Sequence, residues 1–267
     1  MTSNNTAGAR TRSLTLILAG TLIVVATYLY LVIAQPVELQ HSSTGPAGLI
    51  AMAGYLLGAI LIAMGSIQRL STNVVAMIPV AIALNIVVGQ LVSVLGLPVY
   101  LDSIGTVLVS VLAGPAAGVV TGILTNVIWG LTLTPIPLPF AIVQVVIALL
   151  AGYAARLGMF RRVWTAPIVG AVVGVVAAMI SAPIAAFVFG GATGGGTGAL
   201  VAMFQAWGQS LLASTTYQGL ISDPLDKLIT FTVVVLILTA LPSRFVQRFP
   251  FARQYRVFSK KAPEAQA

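Results

Sequence analysis

Cysteine is absent from this 267-residue chain, histidine occurs once at His41, and acidic side chains number five. Without cysteine there are no disulfides, no thiolate nucleophile and no cysteine-ligated metal. One imidazole is too few for a histidine-based metal site. Charged side chains make up 7% of the sequence, against about 25% in soluble domains. A water-facing surface cannot be built from that composition, so the bilayer has to serve as solvent for most of the exterior. Gly-x-x-x-x-Gly-Lys-Ser/Thr is missing, which excludes a P-loop, and so are His-Glu-x-x-His and Gly-x-Ser-x-Gly. With no acid–base or metal constellation visible, the chain reads as a non-enzyme that needs no cofactor.

What the chain has is apolar length. Hydrophobic residues make up 58% and the mean hydropathy is +1.05. A spanning helix takes roughly 20 apolar residues. Runs of suitable character cover 14–34, 47–67, 73–95, 140–157 and 164–189, with a last span expected from about Asp226 to Leu241. Ser103 to Ala113 is too short to cross alone. Gly114-Pro115 breaks the chain there, and 116–131 continues as another helix. Pro135, Pro137 and Pro139 make 132–139 a stiff connector. Residues 190–225 read as a long polar connection, Gly-rich at 190–198, with a helix expected over 199–212. The expected architecture is an all-α, multi-pass integral membrane protein of the cell membrane. It divides into a polar leader (1–13), two N-terminal transmembrane helices (14–69), a membrane core (70–243) and a basic tail (244–267). Val32-Ile-Ala34 would also suit a signal-peptide cleavage site, but the first run is long for that role.

The few charges give the orientation. With a cytoplasmic N-terminus, Arg10, Arg12, Arg69, Arg156, Arg161, Arg162 and the six tail cations all fall inside, twelve of the thirteen Lys and Arg residues. Lys227 alone falls outside. The positive-inside rule therefore favours eight segments with both termini cytoplasmic. Topology accounts for the net charge of +8, so nucleic acid is not an expected partner. The outward loops become 35–46, 96–103, 132–139 and 190–225.

Polar and aromatic residues gather on that outer side. They are Tyr100, Asp102, Asn126, Trp129 and Gln144, then Gln205, Trp207, Gln209, Tyr217, Gln218, Asp223, Asp226 and Lys227, with Asn85 and Gln90 in the third run. Polar groups at membrane depth are costly unless paired, so they mark cavities or helix contacts. Each also has a plainer reading. Trp129 and Trp207 suit an interfacial belt, Asp223 or Asp226 a helix cap beside Pro224, and Asn85 and Gln90 interhelical hydrogen bonds. Lys227 and Asp102 would suit a structural ion pair. Small residues recur at four-residue spacing, at Gly54/Gly58, Gly114/Gly118/Gly122 and Gly170/Gly174, which lets helix backbones approach closely. Ala76 and Ala83 in the third run, with Pro79 between them, offer a smooth face for another membrane protein.

The stretch Tyr100-Leu-Asp-Ser-Ile-Gly-Thr-Val-Leu-Val-Ser-Val-Leu-Ala-Gly-Pro-Ala-Ala-Gly-Val-Val-Thr-Gly-Ile-Leu-Thr-Asn126 resembles the substrate-binding S components of energy-coupling factor (ECF) transporters. Ser222-Asp-Pro-Leu-Asp-Lys227, leading into the last span, is similar to one branch of that family. The resemblance covers roughly 73–250 and leaves the first two spans as an addition to a six-helix core. It implies a membrane subunit that captures a small nutrient, such as a vitamin, base or nucleoside, near its outer face. Its implied partners are a membrane coupling subunit and two cytoplasmic ABC ATPases. It implies a pocket drawn from Tyr100, Asp102, Asn126, Trp129, Gln144 and the 205–227 stretch. The family's coupling face carries Ala-x-x-x-Ala, which implies docking through Ala76, Ala81 and Ala83, and here the pattern departs: Ala76 is followed four residues on by Val80, and Ala81 by Asn85. A membrane sensor module and a stand-alone carrier remain alternatives.

Overall fold

The computed structural model describes residues 3–66, 71–191 and 193–257. Arg69, Lys260 and Lys261, three of the cations assigned to the inner side, lie outside the described residues. The helices are α1 (Ser3–Ala34), α2 (Pro46–Ser66), α3 (Thr72–Val94), α4 (Ile104–Ala113), α5 (Pro115–Thr132), α6 (Ala141–Arg156), α7 (Thr165–Phe187), α8 (Gly195–Ala206), α9 (Leu211–Ala240), α10 (Ser243–Val246) and α11 (Pro250–Gln254). Six stretches among the described residues are long and apolar enough to cross a membrane: Thr11–Ala34, Pro46–Ser66, Thr72–Val94, Pro115–Thr132, Leu138–Arg156 and Thr165–Phe187. The architecture is that of an all-α, multi-pass membrane protein.

Two expectations about the C-terminal third change. The helix expected over 199–212 starts at Gly195 and stops at Ala206. The last helix starts at Leu211 rather than near Asp226, and runs 30 residues with Pro224 inside it. Asp223, Asp226 and Lys227 therefore sit mid-helix instead of at its start. The Ser210 hydroxyl caps the helix by accepting from the Ala213 N–H at 3.3 Å. Pro224 removes one backbone donor without ending the helix, as membrane helices tolerate. The polar leader is also helical from Ser3 onward, continuous with the first apolar run.

The Gly114-Pro115 break behaves as its residues dictate. Gly114 takes φ +97°, a conformation that L side chains rarely adopt. Pro115 then opens α5 at its first position. At 1.5 Å per residue α4 spans only about 15 Å, and most of it is buried among α3, α5, α6 and α9. The Gly170/Gly174 pair of α7 faces the backbone of α9 directly, at Lys227 and at Asp223-Pro224 respectively. With no side chain in between, this close approach sets the position of the charged stretch of α9.

α1 and α2 form a hairpin that packs through Gly54 and Gly58 against Thr27 and Val24. Its buried face shares an apolar core with α5, α6 and the end of α7. Three polar ties pin it: Tyr55 Oη donates to the Pro139 carbonyl at 3.1 Å, Tyr28 Oη to Ile180 at 3.3 Å, and Gln40 Nε2 to Val188 at 2.8 Å. At the far end of the bundle, Arg161 donates to the Tyr255 and Arg256 carbonyls, and Arg156 lies over the rings of Tyr153, Phe251 and Tyr255.

Candidate functional site

Loops 97–102, 134–137 and 193–194, with the first turn of α8, meet at one end of the bundle over a cavity of about 260 Å³. Its walls come from α3, α5, α6, α7 and α9. Eight residues singled out from the sequence line it together: Gln90, Tyr100, Asp102, Asn126, Trp129, Gln144, Asp223 and Lys227. Gln218, noted with the outer polar group, lines it as well, and so do Ser181, Thr193, Thr197 and Thr215, which sequence reasoning passed over.

Trp129 stands in the wall, 6% exposed, and is not a belt residue. Its indole Nε1 donates to Gln90 Oε1 at 3.1 Å. Gly89 makes room for the ring: a Cβ there would lie 2.5 Å from the Trp129 ring and 3.0 Å from the Asp102 Cβ. Two amides are tied by their nitrogens. Asn126 Nδ2 donates to the Pro137 carbonyl at 2.8 Å, and Gln144 Nε2 to the Asp102 carbonyl at 3.1 Å. Since only nitrogen can donate to a carbonyl, these bonds fix which way each amide faces. Asn126 Oδ1 and Gln144 Oε1 are left buried without partners, as is Gln218 Nε2.

A charged cluster closes one side. The buried Lys227 ammonium contacts the Asp226 carboxylate directly and lies 3.6 Å from Asp102 Oδ1. Asp226 Oδ1 also accepts the backbone N–H groups of Tyr100 at 3.2 Å and Leu101 at 2.6 Å. This carboxylate is fully buried behind the cavity wall and pins the 97–102 loop onto α9. Asp223 sits one turn earlier in α9, where Ser181 Oγ donates to its Oδ2 at 3.2 Å. In the loop, lost hydration pushes the Asp102 carboxyl above its ordinary range, and the neighbouring Lys227 ammonium pulls it back. Burial likewise pushes the Tyr100 hydroxyl up, beside Thr197, Gln218 and Thr193, so it remains a donor at neutral pH.

Other sequence candidates lie elsewhere. Asn85 is fully buried between helices. It donates to Thr106 Oγ1 and Thr125 Oγ1 at 2.9 and 3.1 Å and accepts the Gly105 N–H at 2.6 Å. That satisfies the amide within the bundle, the interhelical role weighed for it. Trp207 (66% exposed), Gln209 and Tyr217 (44% exposed) sit on the rim outside the cavity. Trp207 and Tyr217 pack around Phe204 there, a position that suits amphipathic rings at a membrane–water boundary. Ala76 and Ala83 are exposed on α3, but Ala81 is buried against α4, with its backbone facing Gly105. Ala81 is therefore removed from the exposed face on which a partner would dock.

Compared with family models, curated proteins and solved structures, the chain matches none.

Proposed function

We propose that the chain is the substrate-binding membrane subunit of an ECF-type transporter, which captures a small nutrient for ATP-driven import by partner subunits. One observation carries the reading. The two stretches that resemble S components are far apart in sequence, yet both line one cavity, through Tyr100, Asp102 and Asn126 and through Asp223 and Lys227. The cavity has the character of a small-molecule site, largely apolar with a few convergent polar groups. Chain direction also supports the orientation. The cavity mouth lies at the end opposite Arg156, Arg161, Arg162 and the helices that follow α9, so a cytoplasmic basic rim leaves the mouth facing outward. In this reading α1 and α2 are an addition fused to the core, and Ala76 and Ala83 belong to the face that meets the coupling subunit.

Purified chain, reconstituted alone into liposomes and offered labelled small-molecule nutrients, tests the reading. It should bind substrate tightly and move none across the membrane. Sustained turnover by the isolated chain would make it a stand-alone carrier instead.

A further inference from the structure

The cavity's polar groups are strongly biased in one direction. Asp102 and Asp223 line the cavity with two carboxylates, and Asp226 lies behind the wall, against one ammonium, Lys227, which among the described residues is the one cation in the wall. Lys227 is already engaged: it touches Asp226 and lies beside Asp102. Asp223 lines the cavity with a single hydroxyl donor, Ser181, and no cation within ion-pair distance among the described residues. A carboxylate buried to 5% exposure calls for a counter-charge.

A second observation, independent of the acids, points the same way. Asn126 and Gln144, both lining residues, are 0% and 2% exposed, and each carries a buried amide oxygen that has no hydrogen-bond partner. Their nitrogens are held by backbone carbonyls, so these oxygens cannot be exchanged for donors by turning the amide over. Among the described lining residues, two of the three fully buried side-chain polar atoms without a partner are thus acceptors, and Gln218 Nε2 is the third. Trp129 and Phe140 add aromatic side chains to the same wall, a residue type whose ring faces attract cations.

We propose that the ligand is an organic cation: a small, flat, nitrogen-bearing molecule whose protonated or quaternary nitrogen meets Asp223, with further N–H groups directed at the Asn126 and Gln144 oxygens. This rests on the reading of the cavity as a ligand site. It narrows the nutrient to a class that excludes carboxylate-bearing and uncharged compounds.

The test uses the full-length chain in detergent and a metabolite extract of its own cells, split by ion exchange into cationic, neutral and anionic fractions. Thermal melting is followed with each fraction, and the molecule retained after washing is identified by mass spectrometry. The cationic fraction should raise the melting temperature by about 5 °C or more, as binding to the native state requires, and the retained molecule should carry a positive nitrogen at neutral pH. Asp223→Asn should weaken its binding about thirtyfold or more, the usual scale for losing one partner of a buried charge pair. Stabilisation by the neutral or anionic fraction would overturn the cation assignment while leaving the ligand site standing. Stabilisation by none of the three would remove the ligand site itself. If Asp223→Asn does not fold, the charge of the molecule retained by the wild-type chain decides alone.

Discussion

Gly89 controls how near α3 comes to the Trp129 indole, because any side chain there enters the space of the ring. Gly89→Val should displace Trp129 and Asp102 together and weaken ligand binding about tenfold or more, roughly what one lost aromatic contact and one misplaced polar group cost. Isothermal titration against a melting-temperature control would separate lost binding from lost fold. Asp226 should behave differently. It serves Lys227 and two loop amides at once, so Asp226→Ala leaves a buried ammonium short of a partner and costs on the order of 3 kcal/mol of stability. Thermal unfolding should register that loss even without ligand. The contrast also shows what single positions disclose. Asp102, Asn126, Trp129 and Gln144 could be found from sequence because polar groups are expensive in an apolar stretch. Asp226 looked the same by that criterion, and its role behind the wall depends on a loop arriving from 126 positions away in sequence. Ser181 escaped notice for the opposite reason. A hydroxyl in a helix can satisfy itself on a preceding carbonyl, and Ala178 offers Ser181 that alternative to Asp223, so its presence in an apolar run carries little signal.

Glycine and proline made some elements legible and hid others. Gly114-Pro115 marked the turn between α4 and α5, because the positive φ and the missing N–H act locally. The start of α9 was not legible. Ser214, Thr215 and Thr216 lower the hydropathy of its first turns, and Pro224 reads as a helix breaker. Yet Thr215 and Thr216 bond back to the Leu212 carbonyl, and the helix runs on against α7. That packing is testable. Gly174→Leu has to push α9 away at Asp223-Pro224, where there is no room for a side chain. Overpacking of this kind costs about 1–3 kcal/mol, and it moves Asp223, so both melting temperature and ligand affinity should fall. On α3, Ala83→Trp should leave both unchanged and reduce recovery of partner subunits, since Ala83 is exposed. Ala81→Trp should destabilise the chain itself, because Ala81 packs on Gly105. Equal loss of ligand binding in Ala83→Trp would show that this face is not a docking surface.

Across the bundle, the sparse charges divide by end. Asp102, Asp223 and Lys227 converge on the cavity, with Asp226 behind its wall, while Arg156 and Arg161 face α11 and the chain that follows it, at the other end. This separation could be read from sequence because charge is rare and the membrane sorts it. The enclosed volume could not, since it arises from three loops meeting above five helices. In the proposed transporter the ATP-driven step belongs to partner subunits, so the proposal stands or falls on their presence. The most direct test is gentle detergent extraction of the tagged chain from its native membrane, followed by proteomics of what is retained. Recovery of a membrane coupling subunit together with ABC-type ATPases is the predicted result. Recovery of the chain without ATPases, under conditions that hold a known transporter complex together, would contradict the transporter account.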